Sequence, residues 1–152
     1  MKIIYIILLF FLLHLRVYSE EKKPVEILAD SMEWNKELSQ AVATGNAKAI
    51  QGQTTIEANK IVAVLNENNS QQITELRASG NIKFLKEKQE ATGDEAIYYL
   101  SQDKVVITGN VELKKDGSII KGEKLIIDFI TGLSKMENSD SNQKVKMKYV
   151  TE

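Results

Sequence analysis

Val105-Val106-Ile107-Thr108-Gly109-Asn110-Val111-Glu112-Leu113-Lys114 decides the fold of this chain. Val105, Ile107, Gly109, Val111 and Leu113 share one face of an extended strand; Val106, Thr108, Asn110, Glu112 and Lys114 share the other. Apolar and polar residues alternating with a period of two give a strand with one dry face and one solvated face. A glycine in the middle of the dry face marks a bulge or a corner, where the strand bends.

The arrangement occurs twice more. Leu76, Ala78, Gly80, Ile82 and Phe84 oppose Glu75, Arg77, Ser79, Asn81 and Lys83, and Ala41, Ala43, Gly45, Ala47 and Ala49 oppose Val42, Thr44, Asn46 and Lys48. Thirteen residues after each glycine stands a second marker: Ala58-Asn59-Lys60-Ile61, Gly93-Asp94-Glu95-Ala96 and Gly122-Glu123-Lys124-Leu125. A fourth copy, Ala29-Asp30-Ser31-Met32, comes before the first glycine, so the marker recurs at spacings of 29, 35 and 29. The six extra residues are assigned to Asn66–Gln72, a polar stretch expected to form a longer loop. Repeats of this length indicate one supersecondary unit, rolled or stacked.

The strands after the second markers carry Ile61, Ala63 and Leu65, then Ala96, Tyr98 and Leu100, then Leu125, Ile127 and Phe129. Their other faces hold Val62, Val64, Ile97, Tyr99 and Ile126, which predicts partial cover on both sides. Turn residues cluster at Lys86–Gln89, Ser101–Lys104, Lys115–Ser118 and Thr131-Gly132. The first strand is expected near Ile27–Trp34 and the last near Lys144–Tyr149. The fold class is all-β and antiparallel, with neighbours in sequence paired in space.

Composition narrows the function. After Met1-Lys2, the 11 residues Ile3 to Leu13 are apolar, and Val17-Tyr18-Ser19 offers a cleavage site before Glu20. That is the pattern of a secretory signal, and the run falls short of the about 20 residues a membrane span needs. The chain therefore divides into a signal peptide (1–19), a short leader (20–26) and a single domain (27–150). Removing 1–19 takes away two basic residues, Lys2 and Arg16, and no acidic ones, leaving a net charge of −3. Such a balance is unsuited to nucleic acid. The one histidine, His14, lies in the signal and the chain has no cysteine. Histidine- and cysteine-based nucleophilic sites and ordinary zinc sets are thereby excluded. The acidic residues are scattered singly along strands, and nothing calls for a catalytic role, a metal or a cofactor.

Taken in order, these motifs resemble the LptA/OstA family of periplasmic lipopolysaccharide transport proteins. The likeness rests on Thr44-Gly45-Asn46-Ala47 followed by Ile56-Glu57-Ala58-Asn59-Lys60-Ile61, and on Thr108-Gly109-Asn110-Val111 followed by Ile120-Lys121-Gly122-Glu123-Lys124. It runs from about Ile27 through Val150. The resemblance implies an open antiparallel β-jelly roll whose apolar interior holds the acyl chains of lipid A. It also implies a bridge of copies associated head to tail, with an LptC-like partner at the inner membrane and an LptD-like partner at the outer membrane. Two other classes stay open: a membrane-anchored LptC-like adaptor that keeps its N-terminal segment, and a structural β-solenoid.

On this reading Trp34, Ala41, Ala43, Ala47, Ala49, Ile61, Leu65, Ile82, Phe84, Tyr98, Val111, Leu113, Ile127 and Phe129 are candidates to line a lipid groove. The same rows would serve equally as a filled core, the usual fate of an apolar face. Trp34 and Tyr98, at equivalent repeat positions, are either at the groove mouth or core aromatics. The small row from Ala41 to Ala49 is either the widest part of a groove or a gap that Met32 and Trp34 fill. Ile27 and Leu28, with Val145 and Met147, are candidates for unpaired edges that dock partners. The run Lys144–Lys148 reads best as an edge guarded by lysines.

Overall fold

The computed structural model describes residues 23–140 and 142–149. The expected signal peptide and the first part of the leader lie outside the described residues. Ten strands follow one another: β1 (Glu26–Leu28), β2 (Ser31–Asn35), β3 (Gln40–Gln51), β4 (Thr54–Asn66), β5 (Asn69–Lys86), β6 (Gln89–Tyr99), β7 (Lys104–Lys115), β8 (Ser118–Asp128), β9 (Leu133–Glu137) and β10 (Lys146–Tyr149). All belong to one antiparallel sheet in the order β1-β3-β4-β5-β6-β7-β8-β10, with β2 also on β3 and β9 also on β8. The sheet is open, its two edges formed by β1 and β2 at one end and by β9 and β10 at the other.

Each long strand is creased halfway. Gly45, Gly80 and Gly109 take φ near +80°, and the asparagine after each is also left-handed. Glycine reaches that region without strain, and asparagine is among the few other residues that do so readily. The register breaks at each pair: Thr44 faces Lys60 while Ala47 faces Ala58, so two residues oppose one. This is a bulge, and it bends the strand. The breaks at Ser79/Ile82 and Thr108/Val111 repeat it. Aligned across the sheet, the bulges form a straight crease that divides it into two walls.

Wall A holds β2, the first half of β3, the second half of β4, and their repeats through to β9. Wall B holds β1, the complementary halves of the long strands, and β10. Inward-facing residues of both walls meet in one core that includes Ile56, Ile61, Leu76, Ile82, Phe84, Ile107, Leu113 and Leu125. Burial of one such side chain contributes about 1.5–3 kcal/mol, which replaces the cross-linking that a chain without cysteine lacks. Phe84 of wall B stacks on Phe129 of wall A at 5.9 Å and tilts against Tyr98 at 6.0 Å. The outer face of wall B carries a charge ladder: Lys48–Glu57 at 2.9 Å, Lys83–Glu90 at 3.5 Å, Lys114–Glu90 at 3.4 Å and Lys121–Glu112 at 2.7 Å.

Two expectations need correction, and one strand went unread. Asn66–Gln72 is a tight turn at 67–68 followed by strand, and the extra residues are absorbed by register shifts around Leu65, which pairs with Ile73. Polarity alone suggested a loop, but hydrogen bonding to β4 carries the hairpin outward. The first strand breaks at Asp30, whose amide donates to the Gly45 carbonyl, so it is two strands on different walls. Leu133–Glu137, too short and too polar to show a period, forms β9 against β8.

Candidate functional site

The interior between the walls gathers most of the residues that the sequence singled out. Ala43, Ala47, Ala49, Ile61, Ile82, Phe84, Tyr98, Val111, Leu113 and Ile127 are buried in the common core. Ala41, Ile27 and Phe129 pack against it partly exposed, and Leu65 is buried at its rim. Polar side chains are nearly absent there: only Thr54 and Ser118 are buried among the polar residues described. Small residues sit where strands cross the crease. A Cβ on Gly93 would stand 2.5 Å from Ile107 Cγ2 and one on Gly122 2.6 Å from Met136 Cγ, so the last two markers open with Gly where the first two open with Ala.

The inner face reaches both edges of the sheet. Met32 and Trp34 pair with Ala43 and Ala41 and so continue the inner face, yet Trp34 is 59% exposed because no strand lies beyond β2. Met32 is likewise more than half exposed. The expected equivalence of Trp34 and Tyr98 holds in register but not in environment, since Tyr98 lies on a central strand and is buried. At the other end Met147 pairs with Ile120 and Tyr149 with the buried Ser118, so both extend the inner face of wall B. Met147 is 56% exposed, and Val145 just before β10 is also exposed. Leu28 pairs with Lys48 and faces outward, whereas Ile27 beside it pairs with the buried Ala49.

Opposite the crease, the hairpin turns of the two walls face each other along a seam. The wall A turns are stapled to one another: the Leu65, Leu100 and Phe129 amides donate to the carbonyls of Ser39, Thr74 and Asp103 at 2.9, 3.1 and 3.0 Å. Crevices follow the seam between the turns. One is bordered by Val25, Gln51, Ile73 and Leu100, the next by Gln53, Lys86, Ser101 and Asp103, and the third by Glu87, Lys115 and Phe129.

One polar cluster spans the seam. Lys86, ending β5 on wall B, forms an ion pair with Asp103, in the turn before β7 on wall A. The Tyr98 hydroxyl donates to the same Asp103 Oδ1 at 2.7 Å. The Lys86 ammonium lies 4.3 Å from the Phe129 ring centroid and 5.8 Å from that of Tyr98, within cation–π range. Burial, then the hydrogen bond and charge of Asp103, push the Tyr98 phenol above its usual range, so it stays a donor. Neither Lys86 nor Asp103 was singled out from sequence. Both lie in turn regions, where no periodicity points to a partner.

Comparisons with known proteins agree with this geometry. Residues 26–133, well over half of the chain, match the family model described as LptA/(LptD N-terminal domain) LPS transport protein. An uncharacterized protein of Rhizobium meliloti is 25% identical over 122 residues, covering 76% of this chain and 66% of the relative. The lipopolysaccharide export system protein LptH of Pseudomonas aeruginosa is 24% identical over 117 residues, covering 72% and 66%. The chain thus spans just under two thirds of the length of these relatives. The crystal structure of LptH, described as the LptA homologous periplasmic component of the lipopolysaccharide transport device of that organism, superposes with a TM-score of 0.76. That superposition is at 19% identity and covers 85% of this chain and 96% of the other. The fold is that open jelly roll, and the chain belongs to the LptA/(LptD N-terminal domain) family of LPS transport proteins.

Proposed function

We propose that this protein carries lipopolysaccharide across the periplasm, from inner to outer membrane, with lipid A acyl chains held between its two walls. The observation that carries the reading is the continuity of the inner face. It runs from the exposed Met32 and Trp34, through an interior with almost no polar side chain, to the exposed Met147 and Tyr149. An acyl chain in water is disfavoured by about 0.8 kcal/mol per methylene, so transit of an aqueous space requires unbroken apolar cover. Cover of this kind needs no chemistry, in keeping with a chain whose single histidine is His14 and which has no cysteine.

The same two ends explain assembly. An unpaired edge presents free backbone donors and acceptors, and a partner strand satisfies them. Head-to-tail copies would join the C-terminal edge of one to the N-terminal edge of the next and make the apolar face continuous. LptC-like and LptD-like domains would take the two terminal positions. Export by residues 1–19 places the protein in the right compartment. Mass spectrometry of the protein purified from a periplasmic extract checks this: the expected N-terminus lies near Glu20, and an intact Met1 in the membrane fraction contradicts it. Lipopolysaccharide should co-purify with that material, and lipid-free protein that fails to take it up from micelles would contradict the reading.

A further inference from the structure

From the placement of one ion pair we infer that Lys86, Asp103 and Tyr98 form a latch across the seam, and that this latch governs sideways loading of acyl chains. The inference rests on the carrier reading above. Eight ion pairs are formed among the described residues; seven join residues of a single wall, on its outer face, and only Lys86–Asp103 joins wall A to wall B. It stands opposite the crease, where it has the longest lever arm against separation of the walls.

The repeat makes the pair a specific feature and not a by-product of the fold. The positions equivalent to Lys86 are Gln51 and Lys115, and those equivalent to Asp103 are Ser39, Thr74 and Gly132. None of the latter is a carboxylate, so the repeated frame brings one charged pair across the seam and no other. Its surroundings suit a fastening that opens. The Lys86 side chain is 13% exposed and that of Asp103 35%, so water reaches the pair without dissolving it. Below it lie Phe84, Tyr98 and Phe129, which tie the same two walls by ring contacts. Crevices flank it on both sides, the first lined by Gln53 and Ser101, the second by Lys115 and Gly132. The interior is closed as it stands, so a chain entering from the side must part the walls where the latch holds them.

The test uses the absence of cysteine from the chain. Cysteines placed at Gln53 on wall B and Ser101 on wall A, both exposed, carry spin labels or a short bis-maleimide bridge. Lys86→Met keeps the apolar stem and removes the charge; Asp103→Asn removes the other charge and leaves Tyr98 an acceptor. Each is expected to broaden and lengthen the label distance and to raise the rate of uptake from lipopolysaccharide micelles about tenfold. The double variant is expected to add nothing to either single change, as a coupled pair requires. Bridging the two cysteines should stop uptake while leaving preloaded lipid in place. Unchanged distances and rates in both single variants, or normal uptake by the bridged protein, would overturn the latch. Should Lys86→Met fail to fold, Asp103→Asn carries the same measurements. If neither the parent nor any variant takes up lipopolysaccharide, the carrier reading fails, and the label distances alone decide whether the pair holds the seam.

Discussion

The side-chain amide of Asn46 donates to Asp30 Oδ2 at 2.9 Å across the crease, and Asn110 makes the same bond to Asp94 at the same length. Asn81 donates to Asn59 at 3.3 Å in the middle repeat. Each asparagine of a glycine pair is thus tied to the second residue of the marker before it. In the last repeat the pattern is worn: Glu123 receives the Ser139 amide at 2.7 Å, and hydrogen bonds from Ser139 hold its carboxyl below the usual value. The two motifs that recur in the sequence are therefore the two halves of one hinge. Their fixed spacing is the length of chain that leaves the crease, turns at the seam and returns.

The crease makes the first prediction. A Cβ on Gly80 would stand 2.6 Å from Asn59 Nδ2, at a φ of +78° that L residues rarely adopt. Gly80→Ala should cost about 1–3 kcal/mol by denaturant unfolding, from backbone strain and loss of the hinge bond. Gly117→Ala, at φ +76° with nothing within 4 Å, should cost only the backbone share, about 1 kcal/mol. Equal losses at the two sites would mean that the hinge contact contributes nothing.

Phe84 is fully buried and touches rings from the facing wall. Phe84→Ala should lower stability by about 3–5 kcal/mol, among the largest single effects in the domain. Ala47, also buried, should resist enlargement: Ala47→Phe is expected to cost about 1–3 kcal/mol by overpacking and to reduce lipopolysaccharide uptake. Lost stability with unchanged uptake would remove the alanine row from the lipid path.

The ends predict separable effects. Trp34→Glu and Met147→Glu change exposed side chains, so each isolated domain should keep its stability within about 0.5 kcal/mol. Association, read by sedimentation velocity, should fall sharply in both. Trp34 is also the sole tryptophan and is exposed at the mouth, so its emission should shift to the blue when lipopolysaccharide is added. Emission that stays red at saturation would place the lipid elsewhere.

Acid should loosen wall B from outside. The Glu90 carboxyl is lowered by its hydrogen bond to Lys114, with the charge of Lys83 adding to it; that of Glu112 is lowered by Lys121. Both are depressed in the folded chain, so folding favours their ionised forms. Their contribution is present above the unfolded value of about 4.3 and disappears as pH falls through the lower folded values. The melting temperature should therefore hold down to about pH 5 and decline below about pH 4.3, less steeply in Glu112→Gln. The ladder is exposed, so molar salt should flatten the difference.

How much of this was legible follows from which interactions are periodic. Alternation placed the inner residues from Ala43 to Ile127 correctly, and the glycine pairs located every crease. Turn residues located the hairpins at 86–89, 101–104, 115–118 and 131–132; the turns at 36–39 and 52–53 went unmarked, and at Asn66–Gln72 polar side chains disguised a strand whose backbone pairs with β4. The sequence left groove and core undecided, because the space between walls depends on how Phe84 meets Tyr98 and Phe129, three residues from three different strands or turns. The latch was invisible for the same reason: Lys86 and Asp103 are ordinary turn-flanking residues until the roll closes.

The central claim is that acyl chains lie between the walls, and site-specific photo-crosslinking tests it most directly. Benzoylphenylalanine at Phe84, buried on the inner face, and at Leu85 beside it on the outer face gives two probes one residue apart. In cells making the protein, ultraviolet light should yield a lipopolysaccharide adduct from position 84 and none from position 85. An adduct from position 85 as strong as that from 84, or none from either, would contradict the account.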